Sequence, residues 1–256
     1  MSTAENVKAQ LSALLNQANN TTGKADANLT AAVASLAAGF GQGGSGGGGA
    51  TEPYIEEVID GNGDITNATL HGYTIIRNNA FYNCTNLALA SLSSGLTSIG
   101  NNAFYMCTKL ALTSLPSGIT SIGNDAFYRC LDLALTSLPS RLTSIGVQAF
   151  YMCSKLALTR LPSGLTSIGN SAFNNCAKLA LTRLPSGITS IGNNAFYNCL
   201  GLDSLTFEGK PKSISSSAFK ECTNLTTINV PWALGEVANA PWGAINATIN
   251  YNFPGA

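Results

Sequence analysis

The chain has 256 residues, 45% of them hydrophobic and only 10% charged, and its 13 basic and 13 acidic residues cancel. That balance excludes disorder driven by charge excess and a uniformly basic nucleic-acid binder. One histidine leaves little for imidazole acid–base catalysis. Seven cysteines, an odd number, would leave a thiol outside any closed disulfide framework.

Residues 1–39 predict a helical element for attachment or oligomerisation. Ser2-Thr3-Ala4-Glu5 has the S-x-x-E form of a capping box. Val7, Leu11, Leu14 and Ala18 follow at helical steps. Asp26 can cap a second helix, whose stripe is Leu29, Val33, Leu36 and Phe40. Two such short stripes pack as a hairpin within one chain or combine across subunits as a homo-oligomer. Met1 to Asn6 carry no Lys or Arg, unlike the basic start of a secretory signal. The apolar run Leu29–Phe40 is too short to span a bilayer. The expectation is a soluble chain made in the cytoplasm without a signal peptide or membrane insertion.

Residues 40–53 read as a linker, since Gly39–Ala50 holds eight glycines in twelve positions. Gly41-Gln42-Gly43-Gly44-Ser45-Gly46 imitates a dinucleotide-binding fingerprint. It lacks the preceding strand and following helix that such a site needs. Gly43-Gly44-Ser45-Gly46-Gly47 imitates a nucleophile elbow, but the only histidine, His71, has no triad around it. Residues 54–72 read as a capping β-hairpin around Asp60-Gly61-Asn62-Gly63-Asp64. The same run imitates an EF-hand start, yet Ile65 stands where that loop needs Gly and His71 where it needs a bidentate Glu. His71 reads as a structural or surface residue. No cofactor, metal or catalytic residue is implied.

Residues 73–232 are an internal repeat. Phe recurs at 81, 104, 127, 150, 173, 196 and 219, every 23 residues. Ile stands five positions before each Phe, Cys three after it, and Leu three after each Cys. Seven units in phase, without insertion, predict a solenoid whose coils bury their apolar faces only by stacking. The i, i+3, i+6 spacing of Phe, Cys and Leu predicts a short helical turn. The alternation Leu110-Ala111-Leu112 predicts a strand, stopped by Pro116. The fold class expected is therefore an α/β repeat of seven 23-residue coils behind an N-terminal helical hairpin. The cysteines fit reduced core thiols, because equivalent Cβ vectors in stacked coils run parallel and no C-x-x-C pair offers a zinc site. Residues 233–256, with Trp242 and with Trp232 just before them, read as a C-terminal cap over the open end.

Two ladders are candidate ligand-binding surfaces. The position after each Phe is Tyr82, Tyr105, Tyr128, Tyr151, Asn174, Tyr197 and Lys220. Such a row either shields the backbone or offers amphipathic area to a glycan or protein. Lys155 and Lys178 share one repeat position, Arg160 and Arg183 another, in a stretch with seven basic and two acidic residues between Leu96 and Gly187. That charge serves solubility or steers toward an anionic cell-wall polymer. Nothing supplies base-reading or stacking motifs for nucleic acid.

The pattern I-G-x-x-A-F-x-x-C-x-x-L, with Leu-Pro ending nine residues after Cys in the middle units, resembles the BspA-like leucine-rich repeats. The resemblance covers about Tyr73 to Trp232. One departure is visible: apolar residues follow the post-Cys Leu at two and five positions, as in Leu112 and Leu115, where three and five is common. The resemblance implies a non-enzymatic surface or secreted binding protein of a microbe. The flanks add a second resemblance. Asn20–Asp26 with Leu29–Val33 and Gly39–Gly44 looks like the start of phage and prophage structural proteins from gut Firmicutes, and Val230–Asn252 like the end of the same group of repeat proteins. This implies a virion protein of tail or fibre type. It would bind other virion proteins through its N-terminal helices and a host surface protein or glycan through the solenoid. The alternative is a bacterial cell-surface or secreted adhesin.

Overall fold

The five middle repeats each contain a Thr-Ser-Ile-Gly run, and these runs with their counterparts in the end repeats, rather than Leu-Ala-Leu, form the main ladder. The computed structural model describes residues 54–59 and 65–254. The expected N-terminal helices, the glycine linker and the Asp60–Asp64 turn lie outside the described residues. In chain order the strands are β1 Tyr54–Ile59, β2 Ile65–His71, β3 Ile75–Ile76, β4 Ser98–Ile99, β5 Ser121–Ile122, β6 Ser144–Ile145, β7 Ser167–Ile168, β8 Arg183–Leu184, β9 Ser190–Ile191, β10 Ser204–Phe207, β11 Ser213–Ile214, β12 Thr227–Asn229 and β13 Thr248–Asn250.

Strands β3, β4, β5, β6, β7, β9 and β11 make a parallel seven-stranded sheet, Ser opposite Ser and Ile opposite Ile from β4 onward. Although each strand is two residues long, its flanks extend the ladder. From Thr97 to Thr189, the Thr N–H donates to the Thr carbonyl one coil back at 2.7–3.0 Å, and the following Gly N–H donates to the earlier Ile carbonyl at 2.8–3.2 Å. Glycine is required after Ile because the coils nearly touch there. A Cβ on Gly146 would stand 2.6 Å from the backbone nitrogen of Asn124.

The Phe-Cys-Leu segment is not helical, and no helix occurs among the described residues, so the α/β expectation is corrected to a β-solenoid. The reason is local. Residues two before and two after Phe take left-handed φ in coil after coil, as at Asn79 and Asn83 (φ 59° and 60°) or Gln148 and Met152 (53° and 57°). A left-handed residue cannot continue a right-handed helix. It turns alternate N–H groups toward the next coil instead: Asn79, Phe81 and Asn83 donate to the carbonyls of Asn101, Ala103 and Tyr105 at 2.7–2.9 Å. The i, i+3, i+6 face is buried as expected, but by consecutive turns.

The Leu110–Leu112 strand is also corrected. Leu110 and Leu112 are buried and Ala111 exposed, so the alternation holds. Each middle coil, however, donates at most two cross-coil backbone bonds near this run, such as Ala134 N–H to Leu112 carbonyl at 3.1 Å. Pro116 and its equivalents have no N–H to extend it. A second parallel sheet, in the order β13-β12-β10-β8, appears only where the pattern changes. There Leu205 and Phe207 follow Leu202 at three and five positions, giving true period-2 burial.

Phe rings run down the interior. From Phe81 to Phe219, neighbours stack with centroids 5.2–5.5 Å apart and planes within 8°. All seven cysteines are buried, and none forms a disulfide among the described residues. From Cys107 onward each thiol donates to the Phe carbonyl of the previous coil at 2.9–3.1 Å. That contact explains cysteine at a position where alanine would merely fill less space.

Both ends are closed. At the first coil, β1 and β2 pair antiparallel, and Ile65, Ala68 and Leu70 of β2 join the core. The Ala88 N–H donates to the Thr66 carbonyl at 2.8 Å. At the other end the tail is more than a cap, since Val237 and Trp242 stand 23 residues after Ile214 and Phe219. They form a degenerate eighth turn, so the solenoid has about eight turns rather than seven. Trp242 is fully buried, its indole N–H donates to the Ala238 carbonyl at 2.7 Å, and its carbonyl accepts from the Phe219 N–H. Phe207, Trp232 and Trp242 pack edge-on or tilted, which ends the ring stack.

Candidate functional site

Because Ile points inward from each two-residue strand, the Ser before it must point outward. The result is a groove of ≈ 890 Å³ along the seven-stranded sheet, reaching from Ile75 and Asn78 to Ser167 and Gly169. Ser98, Ser121, Ser144 and Ser167 line it as a half-buried row whose hydroxyls bond to no other described residue. Beside them runs an asparagine row. The Oδ1 of Asn78 accepts from the Asn101 N–H at 2.7 Å, Asn101 serves Asn124 in the same way, and Asn124 serves Val147. Fixing Oδ1 inward aims each Nδ2 outward as a donor. Val147 interrupts the amides and, with Ile75, adds exposed apolar area. Arg77 is the one charged residue of the lining. Away from Arg77 at one end, the surface is uncharged and rich in donors and acceptors at coil spacing.

Sequence reasoning missed this groove. The signal is present, since Ser precedes the buried Ile from Ser98 to Ser213, but the alternation of Leu-Ala-Leu is the stronger strand pattern.

The tyrosine row exists as predicted in position. Tyr82, Tyr105, Tyr128 and Tyr151 stack face to face, 4.6–4.8 Å between centroids and within 6° of parallel. Their inner faces therefore cover one another, and ring edges with phenol hydroxyls are what solvent meets. Tyr197 stands apart, because Asn174 occupies the ladder position between it and Tyr151. Burial raises the Tyr105 pKa, and Tyr128, Tyr82 and Asp125 push it the same way. Asp125, left-handed beside the stack, is itself raised by burial. On the other side Arg129 lies between Met106 and Met152 in the repeat, and its buried Nε has no partner among the described residues.

The basic ladder is partly neutralised. Lys155 pairs with Asp132 at 2.6 Å and Arg183 with Glu208 at 3.6 Å, both on the surface, where such pairs contribute little. Arg160 and Lys178 are exposed and form no ion pair among the described residues. No group of three His, Cys, Asp or Glu side chains could hold a metal among the described residues. No helix there is long and apolar enough to cross a membrane.

The chain is similar to a T. pallidum leucine-rich-repeat protein of known structure, with 29% identity and a TM-score of 0.54 over 67% of this chain and 87% of that one. A leucine-rich cell-surface protein from Faecalibacterium prausnitzii matches at 18% identity and a TM-score of 0.30, over 84% and 96% of the two chains. The pneumococcal vaccine antigen PcpA matches at 16% and 0.36, over 78% and 72%. No curated protein matches the chain. The BspA type leucine-rich-repeat region, in six copies, matches residues 74–199 and 155–241. With that match spanning more than half of its length, and seven coils carrying Ala, Phe and Cys in register, the chain belongs to the BspA-type leucine-rich-repeat family.

Proposed function

We propose that this chain is a non-enzymatic interaction protein of adhesin type, and that the serine–asparagine groove is its binding face. The observation that supports this is the row of Ser98, Ser121, Ser144 and Ser167 hydroxyls, unpaired within the described residues, beside outward asparagine amides. A neutral groove with donors and acceptors at every coil suits an extended partner held by many small contacts. Hydroxyls left half-buried without a partner are available to bond one.

Binding of the fluorescently labelled chain to a panel of bacterial and eukaryotic cells tests this. Ser121→Arg with Ser144→Arg fills the middle of the groove without touching the core. The expected result is a loss of at least about tenfold, or ~1.4 kcal/mol. Undiminished cell binding by the double variant would remove the groove from consideration.

A more specific reading places the protein on a phage particle, attached through residues 1–39, with a host surface protein or glycan as partner. The likeness of the N-terminal flank to phage structural proteins supports it, and a bacterial cell surface is the alternative location. Mass spectrometry of purified particles induced from the source strain should detect the chain. Its absence from particles, together with recovery from the cell envelope, would place it on the bacterial surface.

A further inference from the structure

The break in the tyrosine ladder has the form of a site. Every ring from Tyr82 to Tyr151 lies 4.6–4.8 Å from the next, one coil apart. Tyr151 and Tyr197 stand two coils apart, with Asn174 between them. At the ladder's spacing, two coils leave room for one ring between Tyr151 and Tyr197, beyond the reach of the shorter Asn174 side chain. At the floor of this gap Asn174 is 7% exposed, one of two polar residues buried in the described chain. The Asn174 Oδ1 accepts from the Asn175 Nδ2 at 2.6 Å, and the Asn175 Oδ1 accepts from the Asn198 Nδ2 at 2.7 Å. This amide relay leaves the Asn174 Nδ2 without an acceptor among the described residues. Solvent reaches this Nδ2, since among the described residues Arg129 Nε alone is a side-chain polar atom both buried and unpaired.

We propose that this gap is a binding slot for one pyranose ring of a neutral glycan. The walls select a flat ring, because a guest at ladder spacing meets the faces of Tyr151 and Tyr197 together. The floor selects against a purely aromatic guest, because the Asn174 Nδ2 needs an acceptor on the guest's leading edge. A pyranose satisfies both: C–H groups on its faces and hydroxyl oxygens on its edge. The surroundings select a neutral sugar, since the neighbouring positions of the adjoining coils are Gln148, Met152, Ser171, Asn175, Asn194 and Asn198. The slot is separate from the serine–asparagine groove and does not depend on it.

The full chain with 13C-labelled tyrosine, titrated at millimolar concentration with glucose, galactose and N-acetylglucosamine, tests the slot by NMR. At least one sugar should shift the Tyr151 and Tyr197 resonances and leave Tyr105, covered on both faces, unmoved. Asn174→Tyr inserts the ladder's own residue, fills the slot, and should abolish the shifts while leaving the melting temperature unchanged or higher. Tyr197→Ala, which removes one wall from the surface, should weaken binding at least tenfold whatever the first variant does to folding. The proposal fails if no sugar moves Tyr151 and Tyr197, or if Asn174→Tyr binds like the wild type. It fails equally if N-acetyl-tyrosinamide produces the shifts and the sugars do not, since the guest is then an aromatic side chain.

Discussion

Phe150→Ala should cost about 3–5 kcal/mol and should also split the unfolding of the solenoid in two. Phe150 is fully buried and stacks on Phe127 and Phe173, each at 5.4 Å. In a one-dimensional array, stability is the sum of coil terms and of interfaces between neighbours. Removing a central ring weakens two interfaces at once, so the halves on either side lose their coupling. Both tryptophans lie in the C-terminal half, at 232 and 242, so their fluorescence reports that half while far-UV circular dichroism reports the whole. Urea unfolding of the wild type should give coincident transitions by the two probes. In Phe150→Ala the dichroism should move to lower urea ahead of the fluorescence. Phe81→Ala provides the contrast, because Phe81 has one ring neighbour among the described residues, Phe104, and its coil can fray without uncoupling the rest. Coincident transitions in Phe150→Ala, with a loss below about 1 kcal/mol, would mean that the ring stack does not couple the coils.

The parts of this architecture legible in the sequence are those that repeat side-chain volume. The 23-residue phase, the buried Ile, Phe, Cys and Leu rows and the stacking of coils all follow from apolar positions in register, because only stacking can bury them. The backbone was less legible. Two-residue strands such as Ser98–Ile99 are too short to show a period, and their ladder is completed by Thr97 and by Gly100, a residue depleted in strands. The absence of helix had a readable cue. Asn stands at left-handed positions 79, 83, 102, 175, 194 and 198, and Asn tolerates that region better than most residues. Met106, Arg129 and Met152 hold the same conformation without any such cue, so cross-coil hydrogen bonding overrides residue preference there. The eighth turn was hidden because Trp242 replaces Phe and Ile245 replaces Cys. The gap at Asn174 was visible as a letter, but its meaning depends on the ring spacing on either side.

The thiol row makes the protein sensitive to alkali. Burial raises the pKa of Cys107, Cys130, Cys153, Cys176 and Cys199, and that of Cys222 to about 11, above the ordinary 9.0. The folded chain therefore keeps thiol protons that the unfolded chain loses above pH 9.0. The stability these thiols contribute is fully present below that pH and falls as pH rises toward the folded values. Each thiol removes about 1.4 kcal/mol per pH unit once ionised in the unfolded state. Six acting together approach roughly 8 kcal/mol per unit, comparable with the whole stability of a typical domain. Urea midpoints should thus be nearly level from pH 7 to 8.5 and should collapse between about pH 9 and 10.5. Tyr105, also raised, acts in the same direction. Replacing Cys130, Cys153 and Cys176 by Ala separates the causes. It lowers stability at pH 7, because each loses a thiol bond to the Phe carbonyl of the previous coil, and it should flatten the alkaline slope by about half. A wild-type midpoint unchanged at pH 10, or a triple variant with the wild-type slope, would show that the thiols do not govern the alkaline limit.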